Sequence, residues 1–456
     1  MLHLILLSGG SGKRLWPLSN DSRSKQFIKL LPSDHKPISM LQRIWQQLQR
    51  THLAENTVIS TSHSQMDMIH SQIDTGVPLV IEPSRRDTYS AIALSSVYLY
   101  SLKGIKQDEI VIVMPVDSLV EDKFFEQIKS LERIIQNSDA DLVLMGIKPT
   151  FPSEKYGYIV PSESTEKIYQ TVRCFKEKPA YEHAEKLIAS GALWNCGVFV
   201  FRLEFILNGL KKRGLPLNYP DLVKAYTQLP TKSFDNEVVE NTNSIVVVSY
   251  DGNWKDLGTW DTLTEEMDEP IIGKGSISSD CKNVHIVNEL DIPVSVLGLS
   301  DVIVAVSPDG ILVSDKKESA KVKVIANQFN NRPMYEERRW GWYRVLDFTK
   351  LNETKEVLTK RIGVNSGKNL SYQKHYHRSE VWTIIKGTGI FVLNGNIREI
   401  HEGDVLHIPA GSLHAIKALT DLEFIEVQAG TELIEEDVVR IFMIWEDIVA
   451  HCNGSH

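Results

Sequence analysis

Cysteine is scarce. Four cysteines, Cys174, Cys196, Cys281 and Cys452, are scattered through 456 residues, and no two form a Cys-x-x-Cys pair. That spacing excludes a disulfide framework and a thiolate metal knuckle, and it fits a reducing compartment. Long apolar runs are also missing. None approaches the length of a membrane span, and the amino terminus enters a strand-like run within three residues, without a basic leader. Positive charge is in deficit: 50 Lys and Arg stand against 59 Asp and Glu, for a net charge of −9. A surface built for nucleic acid is excluded. Anionic small molecules must be met by local cations rather than by the overall field. These absences predict a cytoplasmic protein with no nucleic-acid or membrane partner. The length allows two or three domains with sizeable cores.

What is present begins at Leu4. Leu4 to Leu7 is apolar and too short for a helix, so it suits a buried parallel strand. Ser8, Gly9, Gly10, Ser11 and Gly12 then remove nearly all side-chain bulk. Such a loop can bring backbone N–H groups against a phosphate. Lys13 and Arg14 follow, and both can neutralise phosphate charge. The loop is not a P-loop, because Leu7 and Arg14 occupy the positions that need Gly and Ser or Thr. Nor is it the dinucleotide fingerprint, because Leu15 replaces the third Gly. On these residues alone, a plain turn after a first strand and a phosphate cradle both stand.

The next hundred residues alternate. Ile38 to Leu53 carries apolar residues at helical spacing, and Thr88 to Leu102, rich in Ala, Leu and Tyr, reads as a helix. Thr57 to Thr61, Val77 to Ile81 and Glu109 to Val116 are strand-like. The alternation predicts a largely parallel α/β sheet. Ligands bind such sheets at the carboxyl ends of the strands. Three candidates sit there: the Gly-rich loop, the stretch Glu82 to Thr88, and Asp117. By itself Asp117 is a helix cap or a metal ligand.

The string Leu-Ser-Gly-Gly-Ser-Gly-Lys-Arg-Leu-Trp-Pro-Leu-Ser, with Lys25-Gln26-Phe27 downstream, resembles the sugar-nucleotidyltransferase signature. The resemblance is nearest to the mannose-1-phosphate guanylyltransferase (GDP-mannose pyrophosphorylase) family. That family has Thr where this chain has Lys13, and Pro where it has Ser24. Further segments resemble family motifs. Glu82-Pro83-Ser84-Arg85-Arg86-Asp87-Thr88 is similar to the stretch near the nucleotide, with Asp87 in place of Asn. Tyr156-Gly157-Tyr158-Ile159 and Phe175-Lys176-Glu177-Lys178-Pro179 are similar to stretches beside the sugar. Trp194-Asn195-Cys196-Gly197 resembles another, and Trp254-Lys255-Asp256-Leu257-Gly258-Thr259-Trp260 resembles the segment holding a second metal carboxylate. Around Asp117 the family reads Pro-Ala-Asp-His, and Ser118 replaces the His. Ser233-Phe234-Asp235 opens a stretch similar to Ser-Ile-Asp-Tyr, with Asn236 replacing Tyr.

The resemblance implies a fold, a reaction and a division of labour. The fold is α/β, a Rossmann-like (GT-A-like) nucleotidyltransferase domain over residues 1–268. The substrates are GTP and mannose 1-phosphate. Leu7 to Lys13, Glu82, Arg86 and Thr88 line the nucleotide; Gly157, Glu177, Lys178 and Asn195 line the sugar. Arg14, Lys25, Asp117 and Asp256 are the catalytic set, with Mg²⁺ on the two aspartates. In-line attack of the sugar phosphate on the α-phosphate asks the protein mainly to position two anions and neutralise developing charge. A non-catalytic sugar-nucleotide sensor and a transferase for another base or sugar are the alternatives.

Residues 269–328 change character. Short Val and Ile runs alternate with Gly, Ser, Asn and Asp, which predicts a β-rich, β-helix-like connector and a candidate homo-oligomer contact. From 329 to 456, His375-x-His377-x-x-Glu380 and then His414 resemble the two cupin motifs, which implies a C-terminal all-β barrel. If the first motif lies on a strand, His375 and His377 face one side. With Glu380 and His414 they make an N/O donor set for Zn, Fe, Mn or Ni. A cupin behind such a transferase resembles the bifunctional enzymes that add phosphomannose isomerase. Gln373, Arg378, Trp382 and Ile425 to Gln428 match that pattern. Val381 stands where the isomerase has His, and no Tyr-Gly-Arg follows Arg440. An isomerase and a structural or regulatory metal barrel both remain open.

Overall fold

The computed structural model describes residues 2–453 except 11, 35, 74–75, 163–167, 330 and 436. The chain divides into two compact units. The first comprises Met1–Leu15, Ser19–Pro270 and Asp315–Val324; the second comprises Trp16–Leu18, Ile271–Ser314 and Ile325–His456.

In the first unit, β1 (Leu2–Leu7) lies between β2 (Thr57–Ser62) and β4 (Ile110–Pro115), parallel to both; β3 (Leu79–Glu82) extends the parallel edge beyond β2. The short β5 (Ser118–Val120) follows β4. Five more strands complete the sheet: β6 (Leu142–Ile147), β7 (Tyr158–Pro161), β8 (Gln170–Lys176), β9 (Leu193–Arg202) and β10 (Ile245–Tyr250). The spatial order is β3-β2-β1-β4-β9-β6-β10-β8-β7, and β9 runs antiparallel to both β4 and β6. The parallel half is the alternating region of the sequence.

Strand alternation sends successive side chains to opposite faces. Leu4 and Leu6 of β1 join one core, with α1 (Met40–Arg50), α2 (Met66–Gln72) and α4 (Asp122–Asn137). Ile5 joins the other, with α3 (Asp87–Ser101) and α6 (Leu203–Lys212). Between them in chain order, α5 (Tyr181–Ala189) packs Ala184 and Leu187 into the first core. Helices therefore cover both faces. The start of α1 is fixed by a capping box: the Ser39 hydroxyl accepts from the Gln42 N–H, and the Gln42 side chain accepts from the Ser39 N–H.

In the second unit, the strands His285–Asn288 and Val302–Ser307 are parallel neighbours, and Ile271–Ile272 pairs parallel on the other side. Val284, Ile286, Val296, Val304 and Val306 fill the interior of this β-helix-like section. Residues from Tyr335 to Phe442 then form a six-stranded and a five-stranded antiparallel sheet around a core of Trp382, Phe391, Phe424 and aliphatic residues. No helix among the described residues is long and apolar enough to cross a membrane.

Candidate functional site

A cleft of about 570 Å³ opens at the carboxyl ends of β1, β3 and β4. Its floor is the Gly-rich loop. The Ser8 N–H donates to the Ser60 carbonyl of β2 (2.8 Å), which pins the loop's first residue. The Gln26 amide donates to the Ser8 carbonyl (2.7 Å). The Ser24 hydroxyl donates to the Gly10 carbonyl (3.0 Å), and the Gln65 amide reaches the same carbonyl (3.3 Å) and the Ser24 hydroxyl (2.6 Å). Two loop carbonyls are thus occupied by side chains outside the loop. A Cβ on Gly12 would lie 2.3 Å from Ser24 Cα, so only glycine allows this approach. Leu7, Ser8, Gly9, Gly10 and Gly12 all line the cleft. Ser11 lies outside the described residues.

Asp117 and Asp256 meet because two short strands join their flanks. The strand β11 (Trp254–Asp256) runs antiparallel to β5, with Asp256 opposite Ser118. The Lys25 ammonium lies 2.6 Å from Asp117 Oδ2 and 3.7 Å from Asp256 Oδ1. Burial disfavours charge on both Lys25 and Asp117. For Asp117, Lys25 and then Arg14 outweigh it and hold the carboxyl below the usual range. For Lys25, the two aspartates outweigh it and hold the ammonium above the usual range. Arg14 lines the same cleft, exposed. A Cβ on Gly258 would sit 2.9 Å from Asp256 Oδ1 and 3.3 Å from an Arg14 guanidinium nitrogen. Gly258 therefore leaves room for both.

At the other end, the Tyr226 hydroxyl donates to Glu82 Oε2 (2.7 Å). Burial pushes the Glu82 carboxyl up to about 7. Arg86 Nε donates to the Leu229 carbonyl (2.8 Å), and the Thr88 hydroxyl accepts from the Phe234 N–H (2.8 Å). Asp87 occupies the left-handed region, with φ +67°. Lys13 and Arg85 converge on Asp21, at 3.1 and 2.8 Å.

The residues expected beside the sugar form a second group. The Asn195 N–H donates to the Gly157 carbonyl (2.8 Å), and the Asn195 amide donates to Asp235 Oδ1 (2.6 Å). A Cβ on Gly157 would lie 2.6 Å from Glu177 Oε2. Burial, then the Glu177 charge, pushes the Asp235 carboxyl up to about 7. Lys178, at φ +43°, turns to its own neighbour Glu177 (2.5 Å). Tyr156 ties this group to Asp256: burial, then the Asp256 charge, raises its phenol. Its ring packs on Trp194 and Trp254. Asp235, Gln65 and the hydroxyl of Ser24 are the additions that motif reading missed. Gln65 lay in no quoted segment, and nothing in the quoted stretches around Ser24 and Asp235 marked either as a site residue.

In the barrel, His375, Glu380 and His414 converge, with one donor atom each all within 4.8 Å. His375 Nδ1 donates to the Asp437 carbonyl (2.5 Å) and His414 Nδ1 to the Ser412 carbonyl (3.1 Å). Both Nε2 atoms then present lone pairs, as a metal needs, though that of His375 also faces the Arg378 guanidinium at 3.3 Å. They lie 3.4 and 3.6 Å from the two oxygens of Glu380. His414 Nε2 is buried and has no hydrogen-bond partner. Burial lowers His375 to about 3 and His414 to about 4, so both are neutral. Gln373 Nε2 lies 3.4 Å from His375 Nε2. The structure does not bring His377 into this cluster. The chain leaves the strand at Lys374 and resumes at Arg378, so the alternation of an extended strand does not operate between positions 375 and 377. The His377 side chain is exposed, and its N–H donates to Asp437 Oδ2.

Two family models match separate stretches of the chain. The family described as Nucleotidyl transferase matches residues 3–270, and that described as Mannose-6-phosphate isomerase C-terminal matches residues 327–442. A relative in Vibrio cholerae serotype O1 is 33% identical, covering 96% of this chain and 98% of its own. The mannose-1-phosphate guanylyltransferase of Salmonella montevideo is 30% identical over the same shares. A solved structure described as a mannose-1-phosphate geranyltransferase from Thermus thermophilus is 27% identical. It covers 72% of this chain and 98% of its own, with a TM-score of 0.60.

Proposed function

This chain belongs to the mannose-1-phosphate guanylyltransferase family of nucleotidyl transferases, and we propose that it transfers GMP from GTP to mannose 1-phosphate, releasing pyrophosphate. The observation that carries the reading is the meeting of Asp117 and Asp256 on one lysine beside the Gly-rich loop. Two carboxylates, with no nitrogen or sulfur ligand, suit Mg²⁺. When bound there, Mg²⁺ would neutralise phosphate oxygens as charge develops.

The chain's own residues do the rest. Leu7 to Gly10 and Gly12 supply the turn and its N–H groups for the triphosphate. Glu82, Arg86 and Thr88 line the nucleoside side, and Gly157, Glu177, Lys178 and Asn195 hold the sugar phosphate. Arg14 and Lys25 stabilise the charge that builds as the sugar's phosphate oxygen attacks the α-phosphorus and pyrophosphate departs. Pyrophosphate release from a grid of four nucleoside triphosphates against several sugar 1-phosphates tests the reading. The GTP and mannose 1-phosphate cell should dominate; a blank cell there sinks it. Free cysteines fit a cytoplasmic enzyme.

A specific observation favours a second activity: the orphaned lone pair of His414 facing Glu380 and His375. His375, Glu380 and His414 would hold a transition metal of the Zn, Fe, Mn or Ni kind, which supplies a Lewis acid. In the barrel, Glu426 is pushed up to about 8 by burial and by Glu380, and it accepts from the Trp382 indole (3.0 Å). Interconversion of mannose 6-phosphate and fructose 6-phosphate, lost in His375→Ala, supports an isomerase. Full metal occupancy without turnover assigns the barrel a structural role.

A further inference from the structure

Lys323 belongs to no motif of the sequence. It lies well beyond residue 270, where the match to the transferase family ends. Yet the segment Asp315–Val324 returns to the first unit, and Lys323 lines the same cleft as the Gly-rich loop, Arg14 and Lys25. We infer that Lys323 is a further phosphate-binding residue of the transferase, holding the part of the triphosphate that leaves as pyrophosphate. This deepens the proposed transferase reading and rests on it.

The placement is built. The turn Lys317–Lys321 packs against Lys13–Leu15, which carries Arg14. That contact puts the segment at the phosphate end of the cleft rather than at the Glu82 end. The buried Ser319 hydroxyl accepts from the Asp261 N–H (3.2 Å), at the start of the helix Trp260–Thr264 that follows Asp256. Val322 is buried, anchoring the neighbouring residue, while Lys323 itself is half-exposed. Its ammonium has no ion-pair partner among the described residues. Lys13, Lys25 and Arg85 each have one already. An unpaired cation at the rim of an anion-binding cleft is poised for phosphate at little desolvation cost.

The chemistry places the demand there. The bond from the α-phosphorus to its bridging oxygen breaks, and the electron pair leaves with pyrophosphate as the sugar phosphate oxygen bonds to the α-phosphorus. Charge therefore accumulates on the leaving group, where a lysine ammonium stabilises it.

Lys323→Met removes the charge and keeps the bulk; Lys323→Arg keeps the charge. In Lys323→Met, kcat/KM for GTP should fall about tenfold. KM for pyrophosphate in the reverse reaction should rise by a similar factor. KM for mannose 1-phosphate should hold, and Lys323→Arg should recover most of the loss. Calorimetric binding of inorganic pyrophosphate with Mg²⁺ reads the same contact without turnover. A wild-type protein that fails to turn over GTP therefore counts against the transferase reading alone. Equal pyrophosphate affinity in wild type and Lys323→Met overturns this one, as does a loss that Lys323→Arg fails to repair.

Discussion

Gly12→Ala would put a methyl where the site has no room. Its Cβ would lie 2.3 Å from Ser24 Cα and 2.4 Å from the Lys25 backbone nitrogen, against 3.4 Å for the start of ordinary contact. Backbone on both sides must part by about 1 Å, because a packed interior offers no slack. The atom that must move is the amide of Lys25, whose ammonium sits 2.6 Å from Asp117. Displacing a positioned catalytic group by that distance costs about a hundredfold in rate. Overpacking costs about 1 to 3 kcal/mol in stability, or about 2 to 4 °C in Tm per kcal/mol for a unit this large. Pyrophosphate release gives kcat/KM, and calorimetry gives Tm. Gly10→Ala is the control, since its Cβ would meet no atom within 4 Å, and its Tm should match wild type. A Gly12→Ala protein with wild-type Tm and kcat/KM would refute the argument that close backbone approach sets this loop.

Gln65→Leu leaves the Gly10 carbonyl with the Ser24 hydroxyl alone and removes that hydroxyl's own amide donor, at a cost of about 1 to 3 kcal/mol. KM for GTP should rise while KM for mannose 1-phosphate holds, measured under initial-rate conditions. Asp235, pushed up to about 7 by burial and Glu177, holds its proton below that pH. The raised folded value means its contribution to stability is present in acid and is lost as pH rises through about 7. Above that pH it adds a negative charge beside Glu177, so KM for the anionic sugar phosphate should climb, and Asp235→Asn should flatten that climb. His375→Ala should abolish metal retention by elemental analysis and leave guanylyl transfer unchanged; retained metal would place the site elsewhere.

Residues that act where they stand in sequence were legible. The strand Leu2–Leu7 and its loop declare themselves by an apolar run and lost bulk. Asp117 closes an apolar strand, and Asp256 sits in a recognisable segment. Residues that act through the fold were not. Gln65 is an ordinary buried amide until the Gly10 carbonyl is seen beside it. Asn195 and Asp235 pair across forty positions. Lys323 arrives from a segment whose sequence reads as a connector. His377 shows the opposite failure. The period-two rule holds only on extended chain, and the sequence shows no break where the structure bends.

The cleft also shows how a chain of net charge −9 handles two anions. Two of its lining cations are held in reserve by carboxylates, Arg85 by Asp21 and Lys25 by Asp117 and Asp256, and outside the lining Lys13 is held by Asp21 and Lys178 by Glu177. Exchanging a carboxylate for a phosphate gains only the difference between two ion pairs, so these residues contribute direction more than affinity. Affinity must come from backbone N–H groups, from Mg²⁺, and from cations that start unpaired. Arg14 and Lys323 are the cleft-lining residues of that kind at the phosphate end. Raising ionic strength should therefore weaken GTP binding through those two, and a protein lacking both charges should lose most of its salt dependence. If it did not, the paired cations would be the ones that recruit the nucleotide.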